Sequence, residues 1–269
     1  MTLSVAGKSV IVTGAAGGIG LAIARHLADR EARVMCVDDD EIALERELGD
    51  HARSEGDLRW FAGDLRRRLT AQNLVSATVD AYGRVDVLVN AARTFAVSDP
   101  LDPDSDLVED LMQRNVLGGL RLSQLVARRM IRQAEAEDDP PIEAGSIINL
   151  SSIATGLGRP ELLGWSMAAA GIEQMTRSLA LALAGHRVRV NCIAFGSIMS
   201  ASLQRALKSE PAWREDIRRG TPLGRIAPPA ELAETVQFLA SEGAAFITGQ
   251  ILRVDGGRSL QDPVAIPAH

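Results

Sequence analysis

The chain has 269 residues but only one tyrosine, Tyr82, and two lysines, Lys8 and Lys208. No lysine follows a tyrosine by four positions, so a phenol and an ammonium cannot meet on one helical turn anywhere along it. Cysteine is as scarce. Cys36 and Cys192 lie far apart inside apolar stretches, which reads as two small buried thiols in a reducing compartment, without disulfide or ligand spacing. The four histidines (His26, His51, His186 and His269) are scattered, and no metal site is expected from them. No run of 18 apolar residues occurs, so no membrane span is expected. Lys8 and the apolar run over 10–24 have the outline of a signal peptide, but four glycines interrupt that run and a glycine turn explains it better. A cytoplasmic protein is expected. Basic charge is in deficit too: the formal charge is −6, which leaves no footprint for nucleic acid or an anionic membrane.

What is present is 46% hydrophobic and 24% charged residues, a globular composition. Short Val/Ile/Leu runs at 9–12, 34–37, 59–62, 85–89, 146–150, 188–194 and 251–254 predict strands, and the lack of polar alternation predicts burial on both faces. Helix-periodic segments fill the gaps at 19–30, 41–54, 70–82, 105–134, 163–184 and 229–241. Such alternation predicts a doubly wound, mostly parallel α/β sheet in a single domain over 1–257, with a tail over 258–269. The acidic, proline-bearing stretch 133–145 reads as a solvated loop.

After the first strand comes Thr13-Gly14-Ala15-Ala16-Gly17-Gly18-Ile19-Gly20, opening a helix. Glycines there permit a tight turn and a close backbone approach to a pyrophosphate, which helix N-terminal amides then bind. Asp38 follows eighteen positions after Gly20, at the end of strand two, where a carboxylate accepts hydrogen bonds from an adenosine ribose. It also repels a 2′-phosphate, and no Arg or Lys lies in the turn, so NAD is expected over NADP.

These residues, with Asp64-Leu65, Asn115, Ser151-Ser152, Arg189-Val190-Asn191 and the run from Ile247 to Gly257, resemble the short-chain dehydrogenase/reductase family over about residues 5–257. The resemblance implies a Rossmann-type, seven-stranded sheet with helices on both faces and a lid over about 197–225. It places Gly14, Gly18, Ile19, Gly20 and Asp38 on the cofactor, Asp64 and Leu65 around the adenine, and Asn90, Ala91 and Ala92 on the cofactor floor. Ile198 would meet the nicotinamide amide.

The chemistry departs from the pattern. In that family a Tyr moves the substrate proton, a Lys four residues on tunes it and holds the ribose, and a Ser thirteen residues before the Tyr orients the carbonyl. Counting from Ser152, the Tyr and Lys positions hold Trp165 and Ala169. Indole supplies a donor but no acid near neutral pH. Ser152 and Asn115 are retained. The family's Asn-Asn-Ala-Gly becomes Asn90-Ala91-Ala92-Arg93, with Arg93 facing either solvent or the cleft mouth. Its Pro-Gly becomes Phe195-Gly196, expected to loosen that turn. Arg93 and Arg159 together would make an anion-friendly cleft. Two functions follow from the resemblance: an NAD-dependent oxidoreductase with a degenerate site, acting weakly or by another proton donor on an unknown small molecule; or a catalytically silent NAD-binding subunit of an active paralogue. A homo-oligomer, most simply a tetramer, is expected through the helices near 105–134 and 163–184.

Overall fold

The computed structural model describes residues 3–139 and 141–262. Seven strands, β1 (Ser9–Thr13), β2 (Arg33–Asp38), β3 (Leu58–Ala62), β4 (Val87–Asn90), β5 (Gly145–Ser152), β6 (Val188–Phe195) and β7 (Ile251–Val254), form one sheet in the order β3-β2-β1-β4-β5-β6-β7. Every pairing is parallel. All residues of β1 and β6 are buried, which is why these strands carry no polar alternation.

The pleat sends alternate residues of one strand into different cores. Val10, Val12, Val34 and Cys36 pack with Ile23 and Leu27 of α1 (Gly18–Ala28) and with Leu232 and Val236 of α9 (Pro229–Ala240). Ile11, Met35 and Val37 face the other side, against Leu74 of α3 (Arg68–Tyr82) and Leu122 and Met130 of α5 (Gly118–Glu135). Ala180 of α6 (Leu163–Ala184) completes that layer. Truncating a fully buried residue such as Ile11 to Ala would cost roughly 2–5 kcal/mol.

The strand and helix ends differ from expectation for identifiable reasons. Strand four begins at Val87, not Val85, because both backbone groups of Val85 bond the Gln133 side-chain amide at 2.9 Å. The helix expected over 41–54 stops at Leu48, where Gly49 adopts φ 84°, and continues as a 3₁₀ turn, Asp50–Arg53. The segment expected as one helix over 105–134 starts at Val108 as a short α4 (Val108–Met112). It then widens into a π-helical turn, Gln113–Leu117, before α5. The lid segment over 197–225 folds as two helices, α7 (Ala201–Ser209) and α8 (Ala212–Arg219), the first capped by the Ser200 hydroxyl. The tail expected from 258 opens as a 3₁₀ turn, Arg258–Leu260; residues 263–269, His269 among them, lie outside the described residues.

The chain reverses its direction of travel across the sheet between β1 and β4. The crevice beyond the carboxyl ends of those strands is where an open α/β sheet takes its ligand.

Candidate active site

A cleft of about 740 Å³ opens at that crevice. Its floor is stapled by Thr13, whose hydroxyl accepts from the amides of Ala91 and Ala92, each at 3.0 Å. The two loops approach so closely that a Cβ on Gly14 would lie 2.7 Å from the Ala92 Cα, and Gly14 has φ 69°. A Cβ on Gly20 would collide with the Gly14 carbonyl. Gly17 and Gly18, by contrast, face open space at the N-terminus of the 11-residue α1, and Gly18 has φ 56°. This is a cradle of amides that side chains would fill, and it fits a dinucleotide pyrophosphate.

Asp38 closes β2 at the cleft wall. Its Oδ2 accepts from the Ala16 amide at 3.0 Å, and its Oδ1 accepts from the amides of Asp39 and Asp40 at 2.9 and 3.3 Å. Burial pushes its carboxyl above the usual range, while the Ala16 and Asp40 amides oppose that shift. Asp64, Leu65 and Ile19 also line the cleft. Asp64 is gripped bidentately by Arg66, at 2.8 and 2.9 Å, which holds its carboxyl below the ordinary value.

Asn90 lines the floor and starts a chain of polar contacts. Its Nδ2 donates to Ser123 Oγ (2.9 Å) and Asn149 Oδ1 (2.8 Å), and Asn149 donates to Thr176 Oγ1 on α6 at 2.9 Å. Ile198 is buried, pairs with Ala227 and also lines the cleft. Asn115 sits in the π-helical turn, where its side chain accepts from the Thr94 amide at 2.7 Å and donates to the Thr94 carbonyl at 2.9 Å. The widened turn thereby pins the loop after β4.

At the other end of the cleft stands Trp165; one turn further along α6, Ala169 is buried and is not among the cleft-lining residues. Trp165 is only 8% exposed and meets Phe95 edge-on at 5.3 Å. Ser152 caps the 3₁₀ turn that follows β5, its Oγ accepting from the Ala154 amide at 3.2 Å; it is not among the cleft-lining residues. Arg93 turns inward, not to solvent. Its guanidinium lies 4.2 Å from the Phe195 ring centroid and 5.1 Å from that of Trp165, and Nη1 donates to the Ser151 carbonyl at 2.9 Å. Burial lowers its pKa to about 10, which still leaves a cation at neutral pH.

Two expectations need correction here. Arg159 does not join Arg93: it is exposed, pairs with Glu161 at 3.9 Å and lies near Arg258 instead. The turn at Phe195-Gly196 is not loosened, because Gly196 donates to the Val254 carbonyl at 3.1 Å and a Cβ there would meet Asp255 at 3.0 Å. Residue-by-residue reading also missed Arg258, which lines the cleft and donates to Ser197 Oγ at 2.8 Å. The signal was the preceding glycine pair: Gly256 and Gly257, at φ 64° and 85°, turn the chain back toward the cleft.

The scarce residues are accounted for elsewhere. The Tyr82 hydroxyl donates to the carbonyls of Val34 and Asp57, at 3.0 and 3.1 Å, and burial pushes its pKa up. Lys8 donates to the Ala240 carbonyl at 2.8 Å. Neither lysine nor the tyrosine lines the cleft. Among the described residues no group of three His, Cys, Asp or Glu is placed to hold a metal ion, and no helix is long and apolar enough to cross a membrane.

A doubly wound parallel sheet with a glycine turn at its reversal point and a carboxylate closing strand two defines a Rossmann-type nucleotide-binding protein. Within that class, the chain belongs to the short-chain dehydrogenase/reductase family of oxidoreductases: the family model described as enoyl-(acyl carrier protein) reductase matches residues 14–259. It is 35% identical over 261 residues to mouse L-fucose dehydrogenase, covering 94% of this chain and 89% of that one. It is 33% identical over 263 residues to the L-rhamnose 1-dehydrogenase (NAD(P)(+)) of Sphingomonas sp. strain SKA58, covering 93% and 96% respectively. The crystal structure of a proposed gluconate dehydrogenase from Agrobacterium tumefaciens superposes with a TM-score of 0.86 at 25% identity, over 97% of this chain and all of that one. These dehydrogenases imply a nicotinamide dinucleotide for the cleft, without choosing between NAD and NADP.

Proposed function

We propose that the chain is an NAD(H)-binding member of its family whose carbonyl/alcohol hydride transfer runs without the usual Tyr–Lys pair, weakly or through another proton donor. The observation that carries this reading is the pairing of Trp165, which lines the end of the cleft away from Asp38, with Ala169, buried one turn further along α6. Bound there, the nicotinamide would supply or accept hydride; the protein's share is binding, orientation and proton transfer. Gly14, Gly18 and Gly20 shape the turn, Ile19 and Asp38 flank the adenosine, and Ala91 and Ala92 form the floor. Removing a general acid typically costs ~10²–10⁴-fold in rate. Ala169 also removes an ammonium that would hold the nicotinamide ribose.

The relatives act on sugars, so L-fucose, L-rhamnose and related polyols are the first substrates to try. The test is NADH binding by fluorescence, followed by turnover on that panel. Measurable but modest NADH binding with turnover well below that of an intact relative supports the proposal. Turnover equal to an intact relative overturns the degenerate-site reading, and absence of binding overturns the cofactor reading.

A second reading, a silent NAD-binding subunit regulating an active paralogue, is favoured by the packing of Arg93, Trp165 and Phe195 into the reacting end. Co-purification with a paralogue that retains the pair, and loss of that partner's activity on separation, would distinguish it. We further infer a homo-oligomer packed through α6, where Leu181 is 83% exposed. Light scattering that finds a monomer would remove this inference.

A further inference from the structure

The cation at the reacting end has no anionic partner among the described residues. Arg93 forms one hydrogen bond, to the neutral Ser151 carbonyl, and no carboxylate pairs with it among the described residues. The acids and thiols nearby are otherwise committed. Glu173 accepts from Thr155 Oγ1 at 2.8 Å and pairs with Arg177 at 3.6 Å. Cys192, whose field Arg93 feels, stays a thiol because burial pushes its pKa up to about 12.

Nor can the cofactor's pyrophosphate neutralise it. The glycine turn follows β1, whereas the guanidinium lies over the ends of β5 and β6, two and three strands away in the sheet. At about 4.8 Å per strand that is roughly 10–14 Å.

The guanidinium is also held in one plane. Phe195 and Trp165, 7% and 8% exposed, lie against it, and Nη1 is tied to Ser151. The opposite edge, Nε with Nη2, bonds no protein atom among the described residues. That edge is the fork with which Arg66 of this chain grips the Asp64 carboxylate. A fork fixed in this way and open to the cleft loses little freedom on binding and matches a planar two-oxygen anion.

We propose that Arg93 anchors a carboxylate of the substrate, so that the cleft takes a small hydroxy acid or oxo acid, not a neutral sugar. This rests on the proposal that the cleft holds NAD(H), and the experiment keeps the two apart. NADH affinity is measured first, by fluorescence. Lactate and gluconate are then titrated into the NADH complex alongside their neutral counterparts, lactamide and glucitol, and the series is repeated on the free protein by thermal shift.

The acids should bind at least about tenfold more tightly than the neutral compounds. Arg93→Gln should abolish that preference while NADH affinity stays within a few-fold. Arg93→Lys, which keeps the charge without the fork, should retain part of it. Equal binding of acids and neutral compounds by the parent protein, or an acid preference that survives in R93Q, would overturn the assignment. If R93Q does not fold, the parent's acid-to-neutral ratio decides alone. A parent that binds the acids but not NADH would retain Arg93 as an anion site and reject the cofactor reading.

Discussion

Arg93 stacks on Phe195, with its guanidinium carbon 4.2 Å from the ring centroid. A residue of the loop after β4 thus places a positive charge over the end of β6. If the nicotinamide reaches this end of the cleft, the oxidised ring, itself cationic, meets that charge and the reduced ring does not. Two charges roughly 10 Å apart at an effective dielectric of about 20 interact by about 1–2 kcal/mol. NADH should therefore bind about 5- to 30-fold more tightly than NAD⁺, and Arg93→Gln should narrow the gap. Calorimetry with both forms checks this; an unchanged ratio in R93Q would place the ring away from Arg93.

Asp38 sets the second prediction. Its carboxylate is fixed by three backbone amides at the cleft wall, and the exposed Asp39 adds a second negative group there. Arg66, a cation lining the cleft, is already taken by Asp64. NADH should be preferred to NADPH by at least about tenfold, the worth of a charged hydrogen bond. Asp38→Ser should reduce the preference mainly by weakening NADH binding. Equal affinities in the parent would refute the role given to Asp38.

How legible was this in the sequence? Alternating strand and helix signals placed the sheet, and α6 and β7 fall on their expected bounds, although β7 (Ile-Leu-Arg-Val) is not buried on both faces as expected, since Arg253 is exposed. The glycine turn was readable because Gly14 and Gly20 answer local steric demands. The π-helical turn at Asn115 was not, since the Asn115 side chain bonds Thr94, 21 residues earlier, and periodicity carries no trace of such a contact. Arg93 was ambiguous for a similar reason: its direction depends on Phe195 and Trp165, each more than seventy positions away.

Arg189 illustrates a motif residue with a structural role. Its Nη2 donates to Glu143 Oε1 at 2.9 Å and to the Leu239 carbonyl at 2.8 Å, tying β6 to the approach to β5 and to α9. Nε, Nη1 and Glu143 Oε2 are buried without a partner among the described residues, so this pair is imperfectly compensated. Breaking one partner of a buried pair costs about 3–5 kcal/mol, whereas replacing both by apolar groups often costs little. Glu143→Leu alone should lower the urea midpoint clearly, and E143L with R189M should recover most of the loss. A double mutant no better than the single would show that the Leu239 contact dominates.

The cysteines give a pH prediction. Burial raises both Cys36 and Cys192 to about 12. At pH 8 the thiolate fraction of such a group is about 10⁻⁴. The folded protein should leave Ellman's reagent almost unreacted at pH 8, and two thiols should appear on denaturation. Rapid reaction of either in the native state would contradict the burial.

The most direct experiment on the reacting end is to rebuild it. Trp165→Tyr and Ala169→Lys would set a phenol and an ammonium at i, i+4 on α6. The structure adds a third change. Ser151 receives Arg93 Nη1 on its carbonyl at 2.9 Å and donates from Oγ to the Ala169 carbonyl at 3.2 Å, so a lysine at 169 would share the neighbourhood of the guanidinium. Two cations there would repel, and the pair would be poorly placed to tune a phenol. W165Y with A169K should therefore gain little, while adding Arg93→Gly should release most of the general acid contribution on neutral ketones and aldoses, roughly 10²–10⁴-fold over the parent, but not on oxo acids, whose proposed anchor it removes. Residue 93 is not among the positive-φ positions, so glycine costs only about 0.5–1 kcal/mol of chain entropy. NADH oxidation across a panel of ketones, oxo acids and aldoses reads the result. A double mutant as fast as the triple would show that Arg93 does not oppose the restored pair, and a parent as fast as either would mean that another group already carries the proton.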